Sequence, residues 1–306
     1  MTPCVATLVR SPDAPVLTQS LLAELSNALN APEQPVWLYP GIAADIRCGW
    51  PTELAGDLAR PRADLSQAIR KIGAKVDVVL QPVAARRKRL LVADMDSTMI
   101  GQECIDELAD YGGLKSRVAE ITERAMRGDI AFAPALRQRV ALLKGLPASI
   151  VDTVIAERIR LTPGGPTLVA TMRANGAYTC VVSGGFTAFT SKLAAAIGFD
   201  EQRANVLVTD VTGRLTGEVA EPVLGREAKL ATLLELGARF RLGPHDTLAI
   251  GDGANDIPMI EAAGLGVAYH GKPALREVAA ACIDHGDLTA LLYAQGYRRE
   301  QFVERG

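Results

Sequence analysis

Leu90-Leu91-Val92-Ala93-Asp94-Met95-Asp96-Ser97-Thr98 is the stretch on which the reading of the fold turns. Four apolar residues in a row suit a strand covered on both faces, as in the middle of a parallel sheet. A polar motif follows without a break. While the backbone stays extended, residues two apart project to the same side, so Asp94 and Asp96 can address one substrate. A carboxylate can act as a covalent nucleophile in phosphoryl transfer, and the acyl phosphate then needs water to finish the reaction. A second carboxyl can protonate the leaving alkoxide and later activate that water. Taken alone, the motif can also be read as two acids in a polar turn.

Working outward, similar apolar runs recur at Tyr178–Val182, Thr247–Ile250 and Leu265–Ala268. Helical patterns separate them at Pro166–Asn175, Thr187–Ile197 and Ala228–Leu236. This alternation predicts an α/β fold with a doubly wound parallel sheet, whose ligands lie outside the carboxyl ends of the strands. Two insertions interrupt it. Residues from Gly101 to about Thr162 read as almost all helix, long enough for a helical cap after the first strand. Val206–Val219 alternates β-formers around Thr212-Gly213 and predicts a hairpin or flap.

Three further motifs accompany the first. Ser183-Gly184-Gly185 follows an apolar run; a hydroxyl and glycine amides there suit phosphate oxygens, although Ser-Gly-Gly is also an ordinary turn. Lys229 opens an amphipathic helix and could neutralise a transferring phosphoryl group, or be a solvated charge. Gly251-Asp252-Gly253-Ala254-Asn255-Asp256 offers hard oxygen ligands in a tight loop, which suits Mg²⁺. Asp252 is the expected direct ligand, with Asn255 and Asp256 as ligands or supports. The spacing does not fit an EF-hand.

The first 85 residues read as a separate α+β module. Strands are expected at Val5–Arg10, Val36–Tyr39 and Val76–Leu80, and helices at Leu17–Asn30 and Leu65–Lys75. Pro40-Gly41 ends the second strand as a turn. The module resembles ACT-type regulatory domains. Arg86-Arg87-Lys88-Arg89 then reads as a solvated linker into residues 86–306.

Composition narrows the function classes. The 306 residues are 48% hydrophobic and 22% charged, and a net charge of -2 carries no footprint for nucleic acid. No apolar stretch reaches the length needed to span a bilayer, and the first residues lack a secretory pattern. Five scattered cysteines without CxxC spacing predict reduced thiols in the cytoplasm. Nothing in the pattern decides between a monomer and a homodimer.

The order nucleophile, hydroxyl, lysine and acidic loop resembles the haloacid dehalogenase superfamily from about Leu90 to Leu291. DMDSTMI, QECIDELA, VVSGGFT, LTGEV and GDGANDIPM resemble its phosphoserine phosphatases. The resemblance implies Asp94 as nucleophile and Asp96 as general acid/base. It implies a Mg²⁺ held by the Asp94 carboxylate, the Asp96 carbonyl and Asp252, with Ser183, Gly184, Lys229 and Asn255 around the substrate phosphate. It also implies Glu103 against the substrate ammonium and Arg139 against its carboxylate, with Arg137 an open alternative. Met126 and Phe132 match apolar positions that close the pocket or pack the cap. Met95 stands where phenylalanine is common. The implied reaction is hydrolysis of O-phospho-L-serine, the last step of serine biosynthesis. The alternatives are a phosphatase or phosphotransferase for another small metabolite, or a serine-sensing protein.

Overall fold

A computed structural model of the chain describes residues 2–11, 17–50, 65, 67, 69, 71, 74–127 and 129–304. The N-terminal part contains β1 (Thr2–Val9), α1 (Gln19–Ala28), β2 (Val36–Tyr39), β3 (Ala43–Trp50) and β4 (Asp77–Pro82). Helix α1 starts where the Thr18 hydroxyl accepts a hydrogen bond from Leu21 N–H at 3.2 Å. Strand order β2-β3-β1-β4, with antiparallel pairing throughout, is that of a β-α-β-β-α-β unit. Of the expected second helix, Leu65, Gln67, Ile69 and Lys71 are helical, while Ile72 lies outside the described residues.

Strand β3 was not expected, because its alanines and Asp45 hide the alternation. Pro40-Gly41 is the turn of a β2–β3 hairpin, with Tyr39 paired to Ala43. Asp45 tolerates burial because Thr7 Oγ1 donates to it at 2.8 Å and the Arg86 guanidinium grips both of its oxygens at 2.6 and 2.7 Å.

The remainder of the chain forms β5 (Leu90–Ala93), the cap helices α2 (Cys104–Tyr111), α3 (Lys115–Met126), α4 (Phe132–Leu142) and α5 (Ile150–Glu157), then α6 (Gly165–Ala174) and β6 (Tyr178–Phe186). These are followed by α7 (Thr187–Ile197), β7 (Glu201–Asn205), the hairpin β8 (Leu207–Thr209) and β9 (Leu215–Val219), and α8 (Arg226–Phe240). Last come β10 (Thr247–Gly251), α9 (Ile257–Ala262), β11 (Leu265–Tyr269), α10 (Pro273–Val278), β12 (Ala281–Ile283) and α11 (Ala290–Ala294). Six strands make one parallel sheet in the order β12-β11-β10-β5-β6-β7.

Strand β5 shows why a continuous apolar run suits this place. Leu91 and Ala93 enter one hydrophobic core, while Leu90 and Val92 enter the core on the opposite face. From β5 the chain winds outward through β6 and β7, then returns to add β10, β11 and β12 on the other side. The winding therefore reverses between β5 and β10, which opens a crevice at their carboxyl ends. The cap leaves and rejoins the sheet through paired backbone, with Ile100 opposite Leu161. The β8–β9 hairpin leans on the cap, where Leu215 and Val219 share a core with Leu136 and Val140.

The basic run is not the solvated linker expected. Arg86 also donates from Nε to the Ala294 carbonyl at 2.7 Å and from Nη2 to Thr7 Oγ1 at 2.7 Å. Arg87 lies 4.3 Å from the Tyr297 ring centroid. Lys88 is buried, which lowers its ammonium to about 8, and donates to the carbonyls of Ala85 and His245. Asp77 adds a second tie, accepting backbone N–H groups of Asp284 (2.8 Å), His285 (3.0 Å) and Gly286 (2.6 Å). Val9, Leu38, Ala43 and Val79 of the N-terminal sheet complete a core otherwise built by the parallel-sheet unit. No disulfide joins any of the five cysteines among the described residues. No helix among the described residues is long and apolar enough to cross a membrane.

Replacing Arg86 with alanine leaves Asp45 buried without its cation. Removing one partner of such a pair costs roughly 3–5 kcal/mol. Urea denaturation of Arg86→Ala should show a loss of that order; a loss below about 1 kcal/mol would mean that the clasp is not integral to the fold.

Candidate active site

The carboxyl ends of β5 and β10 carry the polar motifs into the crevice. Asp94 follows β5 directly and is buried, its N–H donating to the Ile250 carbonyl at 2.9 Å across the switch point. Past Asp96 the chain turns sharply through Ser97, a non-glycine residue at φ 55°. Such backbone is costly and collects at functional sites. The turn brings the Ser97 hydroxyl to donate to Glu103 Oε1 at 2.8 Å, and Cys104 N–H, at the start of α2, to donate to Asp96 Oδ1 at 3.1 Å.

At the end of β6, Ser183 and the two glycines lie within the last strand residues, with α7 beginning at Thr187. Ser183 Oγ donates to Asp96 Oδ2 at 3.2 Å and accepts from Gly185 N–H at 2.8 Å. Phe132, at the start of α4, reaches over Gly184: a Cβ there would stand 3.2 Å from its ring. Phe132 is 42% exposed, so it lines the crevice and does not pack inside the cap. The Met126 side chain lies outside the described residues.

Lys229, one turn into α8, is 2% exposed and donates to Asp94 Oδ1 and Asp256 Oδ1, each at 2.5 Å. Burial opposes its charge, but the two carboxylates outweigh burial and hold it protonated above its ordinary range. Asp256 shapes the loop after β10, its Oδ2 accepting the N–H groups of Asp252 and Gly253, each at 3.1 Å. Gly251 makes this fold possible, since a Cβ at that position would stand 2.3 Å from the Asp256 carboxyl.

Side-chain oxygens of Asp94, Asp252 and Asp256 lie within 4.8 Å of one another. Asp96 turns its carboxyl away, toward Ser183 and Cys104. The cluster holds more carboxylates than cations: burial and the facing Asp256 push Asp94 well up, with Lys229 working against them. A buried excess of hard, anionic oxygens fits a divalent cation. Burial also raises Asp96, against its hydrogen-bond donors, which suits a group that must deliver a proton.

Above this cluster lies a cavity of about 250 Å³ lined by Asp94, Asp96, Glu103, Arg139, Gly184 and Asp252, among others. The two arginines left open by the sequence part company here. Arg137 is exposed and paired to Glu221 at 2.5 Å. Arg139 faces the cavity and its buried Nε has no hydrogen-bond partner among the described residues. Burial lowers its guanidinium, while Asp106 and Glu103 draw it back. Glu103 is solvent-accessible at the mouth, yet desolvation and the neighbouring Asp96 push its carboxyl up to about 7, against Ser97.

Every expected site residue reaches this region: Asp94, Asp96, Glu103, Arg139, Gly184, Asp252 and Asn255 line the cavity, and Ser183, Lys229 and Asp256 bond to members of the cluster. The sequence reading missed Lys272, whose Nζ lies 3.0 Å from Asp252 Oδ2 and which also lines the cavity. Its signal was present, because Lys272 follows the apolar run Leu265–Ala268 as the other motifs follow theirs.

The model of the haloacid dehalogenase-like hydrolases matches residues 91–261. The chain is 44% identical over 224 residues to a phosphoserine phosphatase of a Polaromonas species, covering 72% of this chain and 95% of that one. It is 43% identical over 240 residues to the phosphoserine phosphatase of Streptomyces coelicolor, covering 78% of this chain but only 58% of that longer relative. The solved structure of a probable phosphoserine phosphatase from Vibrio cholerae superposes with a TM-score of 0.74 at 30% identity, covering 99% of this chain and 90% of that one. The chain therefore belongs to the haloacid dehalogenase-like hydrolases and, within them, to the phosphoserine phosphatase family.

Proposed function

We propose that this protein is a cytoplasmic, Mg²⁺-dependent phosphatase that hydrolyses O-phospho-L-serine to serine and phosphate through an aspartyl-phosphate. The observation that carries the reading is the cavity itself. It sets an arginine, whose buried Nε has no hydrogen-bond partner among the described residues, and a glutamate over the buried Asp94 and Lys229 and the half-buried Asp96. A zwitterionic amino acid bearing a phosphate is complementary to that arrangement.

In this reading Arg139 holds the substrate carboxylate, which a guanidinium can do with two parallel hydrogen bonds. Glu103 receives the ammonium. Asp94 attacks phosphorus while Asp96 protonates the serine oxygen; the P–O bond to serine breaks as the bond to Asp94 forms. Asp96, now ionised, takes a proton from water, and that water hydrolyses the acyl phosphate to regenerate Asp94. Ser183, the Gly184 amide, Lys229 and Asn255 hold the phosphoryl oxygens, so positioning and electrostatics provide most of the rate. Asp94, the Asp96 carbonyl and Asp252 would hold Mg²⁺, which supplies charge neutralisation for the phosphoryl group. Residues 1–85 are assigned to a regulatory module and 86–306 to the catalytic unit, with 101–162 as its cap.

Phosphate release from L-phosphoserine and a panel of other phosphomonoesters, with Mg²⁺ and with EDTA, tests the reading. Strong Mg²⁺-dependent preference for phosphoserine is expected, and Asp94→Asn should abolish it. Release from a different ester would keep the chemistry and overturn the substrate. Near-normal turnover by a folded Asp94→Asn variant would remove the nucleophile.

Arg139→Ala should lower kcat/KM for phosphoserine by roughly 10²-fold or more, because the carboxylate loses a buried partner. Arg137→Ala should change it little. Phosphoethanolamine, which lacks the carboxylate, should be a poor substrate of the wild type and should discriminate little between the wild type and Arg139→Ala.

The ionised form of Glu103 is the one that attracts an ammonium, so kcat/KM should rise with pH as this carboxyl loses its proton. Bound cation pulls the carboxyl down from about 7, which places the inflection between its ordinary 4.5 and that value. The pH profile of Glu103→Gln should lack this inflection; an unchanged profile would assign the ammonium to another group.

A further inference from the structure

Lys272 has no part in the reaction as proposed, yet it is bound to Asp252 twice. Its backbone N–H donates to the Asp252 carbonyl at 2.8 Å, and its ammonium stands 3.0 Å from Asp252 Oδ2. Asp252 itself is 7% exposed, whereas the Lys272 side chain is half exposed at the cavity rim. The residue is also anchored from below. Lys272 precedes α10, whose first turn closes with Leu275 and Arg276 N–H groups donating to the Lys272 carbonyl at 3.0 and 3.1 Å. Arg276 grips Asp284 with both Nη atoms, and Asp284 N–H donates to the buried Asp77 at 2.8 Å. The lysine therefore projects from a braced helix start and not from a free loop.

We propose that Lys272 is a positioning residue for the metal site, holding the Asp252 carboxylate in one rotation beside Asp94 and Asp256. This rests on the reading of Asp252 as a metal ligand given above. A carboxylate on a short side chain can rotate about its terminal torsion, which is broad and weakly restrained. A hydrogen bond to one oxygen removes that freedom, and outer partners of this kind are typically worth about 10–100-fold in metal affinity. A purely Coulombic view gives the opposite sign. There Lys272 would repel the cation, so its removal would tighten binding. Geometry decides for orientation. The ammonium sits at the rim, where water screens its charge, while its hydrogen bond acts on a buried carboxylate.

The probe is Mg²⁺ alone, titrated by calorimetry into the full chain stripped of metal, for the wild type, Lys272→Met, Lys272→Arg and Asp252→Asn. Lys272→Met should weaken Mg²⁺ binding by roughly tenfold, and Lys272→Arg should recover much of the loss. Thermal unfolding in EDTA should place Lys272→Met within a few degrees of the wild type, which excludes misfolding as the cause. Affinity that is unchanged or tighter in Lys272→Met overturns the proposal and leaves the phosphatase reading intact. Wild-type protein that binds no Mg²⁺, or binding untouched by Asp252→Asn, would instead remove the metal site on which both depend.

Discussion

An ammonium with almost no access to water, 2.5 Å from each of two buried carboxylates, is the contact around which the rest of the molecule is arranged. Taking Lys229, Asp94 and Asp256 out of water is expensive, and their attraction compensates only when all three stay in place. The three residues come from the start of α8, the end of β5 and the loop after β10. No local interaction could hold them together. The sheet, the helix and the glycine-permitted turn must all be formed before any of these charges is matched. A hydrophobic replacement of similar shape would stabilise the fold as well or better, so the triad is explained by chemistry and not by stability.

The topology delivers that chemistry. Parallel strands end at the same edge, and reversal of winding between β5 and β10 leaves a gap there that no crossover helix fills. Backbone N–H groups and polar side chains at the ends of β5, β6, β10 and β11 are thereby pointed at one volume. Because β5 is buried on both faces, the position of Asp94 is as fixed as that of the core. The cap is attached through the paired backbone around Ile100 and Leu161, so its own residues hang over a rigid floor.

Most of this was legible before any coordinates because the chemistry-bearing residues are tied to local pattern. An apolar run followed at once by Asp94, Ser183 or Asp252 announces both strand and site. What escaped depends on partners far along the chain. Strand β3 looked unpromising because Asp45 is a poor strand residue, until Thr7, 38 positions away, and Arg86 satisfy it. The basic run read as a solvated linker for the same reason: charge density in sequence says nothing about whether Asp45 and the carbonyls of α11 lie within reach. Lys272 was missed though it obeys the same strand-end rule, since a single lysine carries no signature until Asp252 is beside it. Conversely, Arg137 and Arg139 are indistinguishable by composition, and only their opposite directions on α4 separate them.

A division of labour follows from where these groups sit. The residues that would make and break bonds follow the carboxyl end of the sheet, while those that would recognise the amino acid, Glu103 and Arg139, stand at the start of α2 and on α4 of the cap. In the proposed reaction a substrate is therefore read by one body and transformed by another, and the two must meet around it. The buried Arg139 Nε has no hydrogen-bond partner among the described residues. In the proposed reaction, a ligand lacking a carboxylate would leave it unsatisfied, which costs free energy wherever the site is shut off from water. In that reading selectivity would appear in turnover as well as affinity, because the groups that recognise the amino acid would also fix the phosphoryl group beside Asp94 and Lys229. The Asp45–Arg86 clasp and the Asp77 tie fasten the N-terminal sheet to the parallel-sheet floor. The ties of that sheet end on the turn before β10, the turn after β12 and α11, on the side of the loop that carries Asp252.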